Sequence, residues 1–91
     1  MTITKQMLQD KIDYLNQITN SPIKPYMRSA AGNFIGQIGC FTLHQAYGKF
    51  GLHRMVNEGG GVTDRYIYGL HSKKELYALL TAFINGVEFN A

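Results

Sequence analysis

Phe41-Thr42-Leu43-His44-Gln45-Ala46-Tyr47-Gly48-Lys49-Phe50-Gly51-Leu52-His53-Arg54, inside residues 40–56, is the stretch that decides the fold. Apolar and polar residues alternate on either side of Tyr47-Gly48, as in two strands joined by a tight turn. A loop over 46–49 pairs Gln45 with Phe50, Leu43 with Leu52 and Phe41 with Arg54. Side chains alternate across a strand, so Phe41, Leu43, Phe50 and Leu52 share one face, suited to a core. Cys40, Thr42, His44, Gly51, His53 and Met55 are expected on the other.

Around this hairpin lie nine of the ten glycines, between Gly32 and Gly69, which favours short strands and close turns. A strand is expected near 34–38, where Gly36 and Gly39 suggest bulges or close backbone approach. Residues 62–68 offer a further short strand. Before the centre, Leu8, Ile12, Leu15 and Ile18 recur at helical spacing, which predicts an amphipathic helix over 4–19 that Asn20-Ser21-Pro22 ends. After it, Ser72-Lys73-Lys74-Glu75 has the form of a capping box. Leu76, Leu79, Leu80, Phe83, Ile84 and Val87 follow at core spacing, which predicts a helix over 73–85 with Gly86 as its left-handed cap. The expected fold is α+β: an N-terminal helix, a small antiparallel sheet built on the central hairpin, and a C-terminal helix, both helices on one face of the sheet.

Ninety-one residues suit a single domain over 1–91, and 45% apolar with 16% charged residues is a composition that folds. A core this small is marginal alone, so a homo-oligomer is expected. Cys40 is the only cysteine, which excludes an intrachain disulfide and fits a reducing cytoplasm. No signal peptide and no run of ~18 apolar residues is seen, so no membrane association is expected.

The charge of +3 is uneven: Arg28, Lys49, Arg54, Arg65, Lys73 and Lys74 face only Glu58 and Asp64 between Arg28 and Lys74. Such a centre attracts anions. Within it, Glu58-Gly59-Gly60-Gly61-Val62 is the most unusual stretch, either a ligand-facing loop whose bare amides cradle oxygens or a simple connector. It is neither a P-loop nor a dinucleotide fingerprint. The start of the last helix is a second anion site by its dipole, with Lys73 and Lys74 adding charge and His71 just outside. If the glycine loop folded against it, Arg65, Tyr66 or Tyr68 would reach the same ligand. His44, His53 and Cys40 invite a zinc or thiol reading, but no dense ligand pattern accompanies them and no metal is expected. The carboxylates form no evident catalytic pair, so neither an enzyme nor a cofactor is expected.

The chain also resembles a group of small proteins of tailed bacteriophages. The resemblance rests on Tyr14-Leu15-Asn16, Ser21-Pro22, Pro25-Tyr26, Ile38-Gly39, Leu43, Ala46-Tyr47-Gly48, Asn57 to Val62, Lys73-Lys74-Glu75-Leu76-Tyr77 and Ala82-Phe83-Ile84-Asn85-Gly86. In that group an arginine and a threonine or serine often precede the lysine pair, where His71 and Ser72 stand here. The resemblance implies an accessory protein that neutralises a host function. One such class is a sponge, an oligomer that sequesters nucleotide signals of bacterial immunity without cleaving them.

Together these readings lead to a non-catalytic protein that binds a small anionic, nucleotide-type ligand in the host cytoplasm. The expected pocket comprises Tyr47, Arg54, Asn57, Gly59, Gly60, Arg65, His71, Ser72 and Lys73. The rival readings are a nucleic-acid-binding protein and an inhibitor that docks on a host defence protein.

Overall fold

The computed structural model describes residues 2–90, in an α+β fold. In chain order the elements are α1 (Lys5–Ile18), β1 (Tyr26–Arg28), β2 (Phe34–Gly36), β3 (Phe41–Ala46), β4 (Lys49–Met55), β5 (Val62–Thr63) and α2 (Lys73–Phe89). β3, β4 and β5 form one antiparallel sheet in that order, and β1 and β2 form a separate ribbon.

The central hairpin has the expected register, with Phe41 opposite Arg54, Leu43 opposite Leu52 and Gln45 opposite Phe50. Tyr47 and Gly48 both have positive φ, 54° and 71°, the requirement of a type I′ turn whose twist matches its strands. Phe41, Phe50 and Leu52 bury against Leu8, Ile12 and Leu15 of α1 and Leu76, Leu80 and Ile84 of α2, with Ile67 closing the core. Burial of each large aliphatic side chain contributes about 1.5–3 kcal/mol, so this cluster supplies most of the cohesion of a small domain. Leu79, expected in the core, is instead largely exposed.

Three departures from expectation have clear causes. Gly39 N–H donates to Met55 O and Met55 N–H to Cys40 O, both at 2.8 Å, while Gly39 has φ +93°. Two residues therefore oppose one in a glycine bulge, which breaks the alternation just where Cys40 begins the hairpin. The Cys40 thiol turns to the buried strand edge, 3.8 Å from Asn16 Nδ2, and not to the face of His44 and His53. Second, α2 continues past Gly86 to Phe89. Val87 packs on the core, Tyr14 Oη donates to Glu88 Oε2 at 2.7 Å, and Asn90 Nδ2 donates to Gly86 O at 2.8 Å. These contacts outweigh the roughly 1 kcal/mol that a helical glycine costs. Third, β5 is only two residues long, because Asp64 accepts from Gly69 N–H and the intervening turn carries Ile67 into the core.

Of the β1–β2 ribbon, β2 falls within the strand expected near 34–38, whereas β1 has no counterpart in the sequence reading, since a three-residue strand carries too little periodicity to read. The ribbon joins the body through a main-chain bond at its base, Gly36 N–H to Glu58 O at 2.7 Å, while Gln37 N–H to Pro25 O at 2.8 Å ties its two arms together. A Cβ at Gly36 would lie 2.8 Å from Asn57 O, so only glycine permits this approach.

Candidate functional site

β4 positions most of the expected site residues, and its length sets which of them can meet. At its start, Phe50 and His71 exchange both main-chain hydrogen bonds, at 2.7 and 2.8 Å, which brings the start of α2 to this end. Beyond its other end lies the 57–61 loop. The strand rises ~3.3 Å per residue, so Phe50 and Val56 are roughly 20 Å apart. The glycine loop therefore does not fold against the helix start, and the residues of the single pocket expected from the sequence fall in three places.

At the Phe50 end stand Tyr47, His71, Ser72 and Lys73. Tyr47 is 95% exposed at the hairpin tip. Ser72 caps α2: its Oγ accepts from Glu75 N–H at 3.2 Å and its own N–H reaches Glu75 Oε1 at 3.4 Å. The Ser72 hydroxyl, which also donates to Glu75 Oε1 at 3.0 Å, and then the Ser72 N–H hold the Glu75 carboxyl below its ordinary range. His71 Nε2 lies 2.8 Å from Tyr68 O, which fixes the ring with a proton on that nitrogen. Lys73 rests over the Phe50 ring. His71 and Ser72 are engaged in holding the helix start, whereas Tyr47 stands apart at the exposed tip.

The glycine loop is similarly occupied with its own structure. Asn57 Oδ1 accepts from Gly61 N–H at 2.8 Å and closes the turn. Gly60 has φ +95°, and a Cβ there would meet the Tyr26 hydroxyl at 2.7 Å. Gly61 lies against the Asn57 side chain, whereas a Cβ at Gly59 would make only ordinary contact, 3.4 Å from Asn57 Oδ1. A positive φ and two close approaches account for Gly60 and Gly61 without a ligand, whereas nothing of the kind requires glycine at 59.

Between the two ends, Arg54, Arg65 and Tyr66 do come together. Arg54 Nε donates to Gly39 O and Nη1 to Tyr66 Oη, both at 2.9 Å. The Arg54 guanidinium sits 4.5 Å over the Phe41 ring, and those of Arg54 and Arg65 lie 5.3 and 5.4 Å from the centre of the Tyr66 ring. Tyr66 in turn stacks on Phe83 at 5.9 Å and meets Phe41 edge-on at 5.4 Å. Hydrogen bonding from Arg54, then from Arg65, draws the Tyr66 hydroxyl below its ordinary pKa, as both neighbouring charges favour the anion. Beside the cluster, Ile38, Gly39, Met55 and Val56 complete an open cleft of about 270 Å³.

His44 and His53 stack face to face at 4.0 Å on the polar face of the sheet. Among the described residues, no group of three or more His, Cys, Asp or Glu side chains is placed to hold a metal ion. No helix among them is long and apolar enough to cross a membrane. The residues missed from sequence are Ile38 and Val56, two exposed apolar groups in short turns whose surroundings only the bulge at Gly39 determines. The chain matches no protein-family model, no curated protein and no solved structure.

Proposed function

We propose that this chain is a non-catalytic binding protein for a small anionic, nucleotide-type ligand, held at the Arg54–Tyr66–Arg65 cluster. The observation that carries the reading is the convergence of two guanidiniums on one tyrosine beside an apolar cleft. Of the five N–H groups of Arg54, the bonds to Gly39 and Tyr66 use two, so others can donate to a phosphate. Arg65 adds a second charge, and Ile38 and Val56 offer a surface to a base. Charge-assisted hydrogen bonds of this type contribute about 1.5–3 kcal/mol each.

The cleft lies at the lower limit of ordinary ligand pockets, ~300–1,000 Å³, and is open to solvent. It suits a phosphate with part of a nucleoside, and a second copy of the chain would be needed to enclose a larger signal. That fits a homo-oligomeric sponge acting in the host cytoplasm, the phage role that the sequence resemblance implies. Sequestration without turnover asks only for affinity, and the cluster contributes positive charge and stacking surfaces to it.

Calorimetry against a panel of cyclic and linear nucleotides tests the reading. Binding in the micromolar range is expected, with the ligand recovered intact and Arg65→Gln weakening it about tenfold or more. Arg65 is exposed, so its replacement leaves the fold intact. Silence across the panel at ligand concentrations of hundreds of micromolar would overturn it.

A further inference from the structure

The β1–β2 ribbon presents side chains that neither the core nor the Arg54 cluster uses. Tyr26 faces Gly36 and Arg28 faces Phe34 across the ribbon, so Tyr26, Arg28 and Phe34 share one face. Phe34 is 70% exposed, and Tyr26 and Met27 are also exposed. The Arg28 guanidinium lies 5.4 Å from the centre of the Phe34 ring. Alongside, Pro22, Ile23, Lys24, Met27 and Gln37 border an open cleft of about 560 Å³ that Tyr26 and Arg28 also line.

Charge decides what such a surface takes. Lys24 and Arg28 sit on or beside the ribbon, and no carboxylate occurs between Asp13 and Glu58, the latter meeting the ribbon at its base through its main chain. Two ribbons brought together would oppose like charges, which argues against a second copy as the occupant. Exposed aromatic rings interleaved with cations instead match a polyanion carrying flat, apolar faces. Exposed aromatic rings of this kind take up unstacked bases, which a single strand supplies and a duplex does not. The Phe34 ring, with Arg28 against it, extends such a stack by one layer.

The geometry points to the β1–β2 ribbon as a contact for single-stranded nucleic acid, with Phe34 and Tyr26 stacking on bases and Lys24 and Arg28 pairing with phosphates. Three residues per strand span about 10 Å, enough for two or three nucleotides. The ribbon joins the body at its base, where Gly36 N–H donates to Glu58 O, so side chains on its outer part can be changed without disturbing the core. This surface is separate from the Arg54 cluster, and either can operate without the other.

Fluorescence anisotropy with a labelled oligothymidylate of about 12 nucleotides tests the inference, since single-strand sites span ~4–16 nucleotides. Wild-type protein should bind it and prefer it to the same strand in a duplex. Phe34→Ala should weaken binding on the order of tenfold with an unchanged melting temperature. Arg28→Gln should reduce the slope of log affinity against log salt by about 0.7, the share of one phosphate. Mononucleotide binding at the Arg54 cluster should be unaffected by either change, so the two sites stand or fall separately. No binding at about 50 mM salt, a preference for duplex, or wild-type affinity in Phe34→Ala would overturn the inference. A dimer in sedimentation that Phe34→Ala abolishes would also overturn it, by showing that a second copy covers the ribbon.

Discussion

Asn16 binds both main-chain groups of Phe41: its Oδ1 accepts from Phe41 N–H at 2.7 Å and its Nδ2 donates to Phe41 O at 3.0 Å. The amide imitates a neighbouring strand and closes the outer edge of β3 where the sheet enters the core. Asn16 is wholly buried, so Asn16→Ala strands a buried donor and acceptor together. A loss of about 2–4 kcal/mol is expected, a drop of 10 °C or more in Tm for a domain this small. Thermal melting of the variant within about 0.5 kcal/mol of wild type would dismiss the clamp.

Cys40 shares that buried corner. Burial pushes its thiol above the ordinary value, only partly offset by the hydrogen bond from Asn16, so little thiolate forms at neutral pH. A disulfide-exchange reagent should leave the native protein unlabelled and modify it at once in guanidinium. Rapid labelling of folded protein would refute this placement.

The stacked imidazoles make stability sensitive to acid. Burial, then the neighbouring His44, hold His53 below the ordinary value of 6.5, with Asp64 opposing. The unfolded chain therefore takes up a proton more readily than the folded one. This contribution is fully present above pH 6.5 and is lost as pH falls through 6.5 toward the folded value. Urea midpoints measured from pH 8 to 5 should decline below 6.5 in wild type, and His53→Gln should flatten that decline. A slope unchanged in the variant would count against the account.

Tyr47 occupies left-handed backbone that disfavours a side chain, at a cost of about 1 kcal/mol. It is also almost fully exposed, so little packing is lost on replacement. Tyr47→Asn should stabilise the protein by about 0.5–1 kcal/mol, a rise of a few degrees in Tm. Nucleotide affinity should stay unchanged, because the hairpin tip lies far along β4 from Arg54. A weaker complex would return Tyr47 to the site.

What the sequence made legible follows from how local each signal is. The hairpin register could be read because strand alternation and the Tyr47-Gly48 turn agree within 14 residues. The cap at Ser72 could be read because its partner Glu75 lies one helical turn away. Asn16 could not, since one amide on a helix gives no hint of a strand 25 residues on. The end of α2 was misplaced for the same reason: Gly86 is a local stop signal, and Tyr14 overrules it from another element. The candidate site was half legible. Arg54 and Arg65 meet around Tyr66, away from the helix start where the sequence alone places Arg65 and Tyr66. Asn57 and Ser72 could not be separated until β4 had a direction and a length.

The ribbon is fastened to the body by a bond between backbone atoms of Gly36 and Glu58, and main-chain groups are the same whatever side chains they carry. Its outward residues can therefore vary between generations at almost no cost to folding. In a protein built in this way the residues that shape one surface are separate from those that keep the architecture beneath it constant.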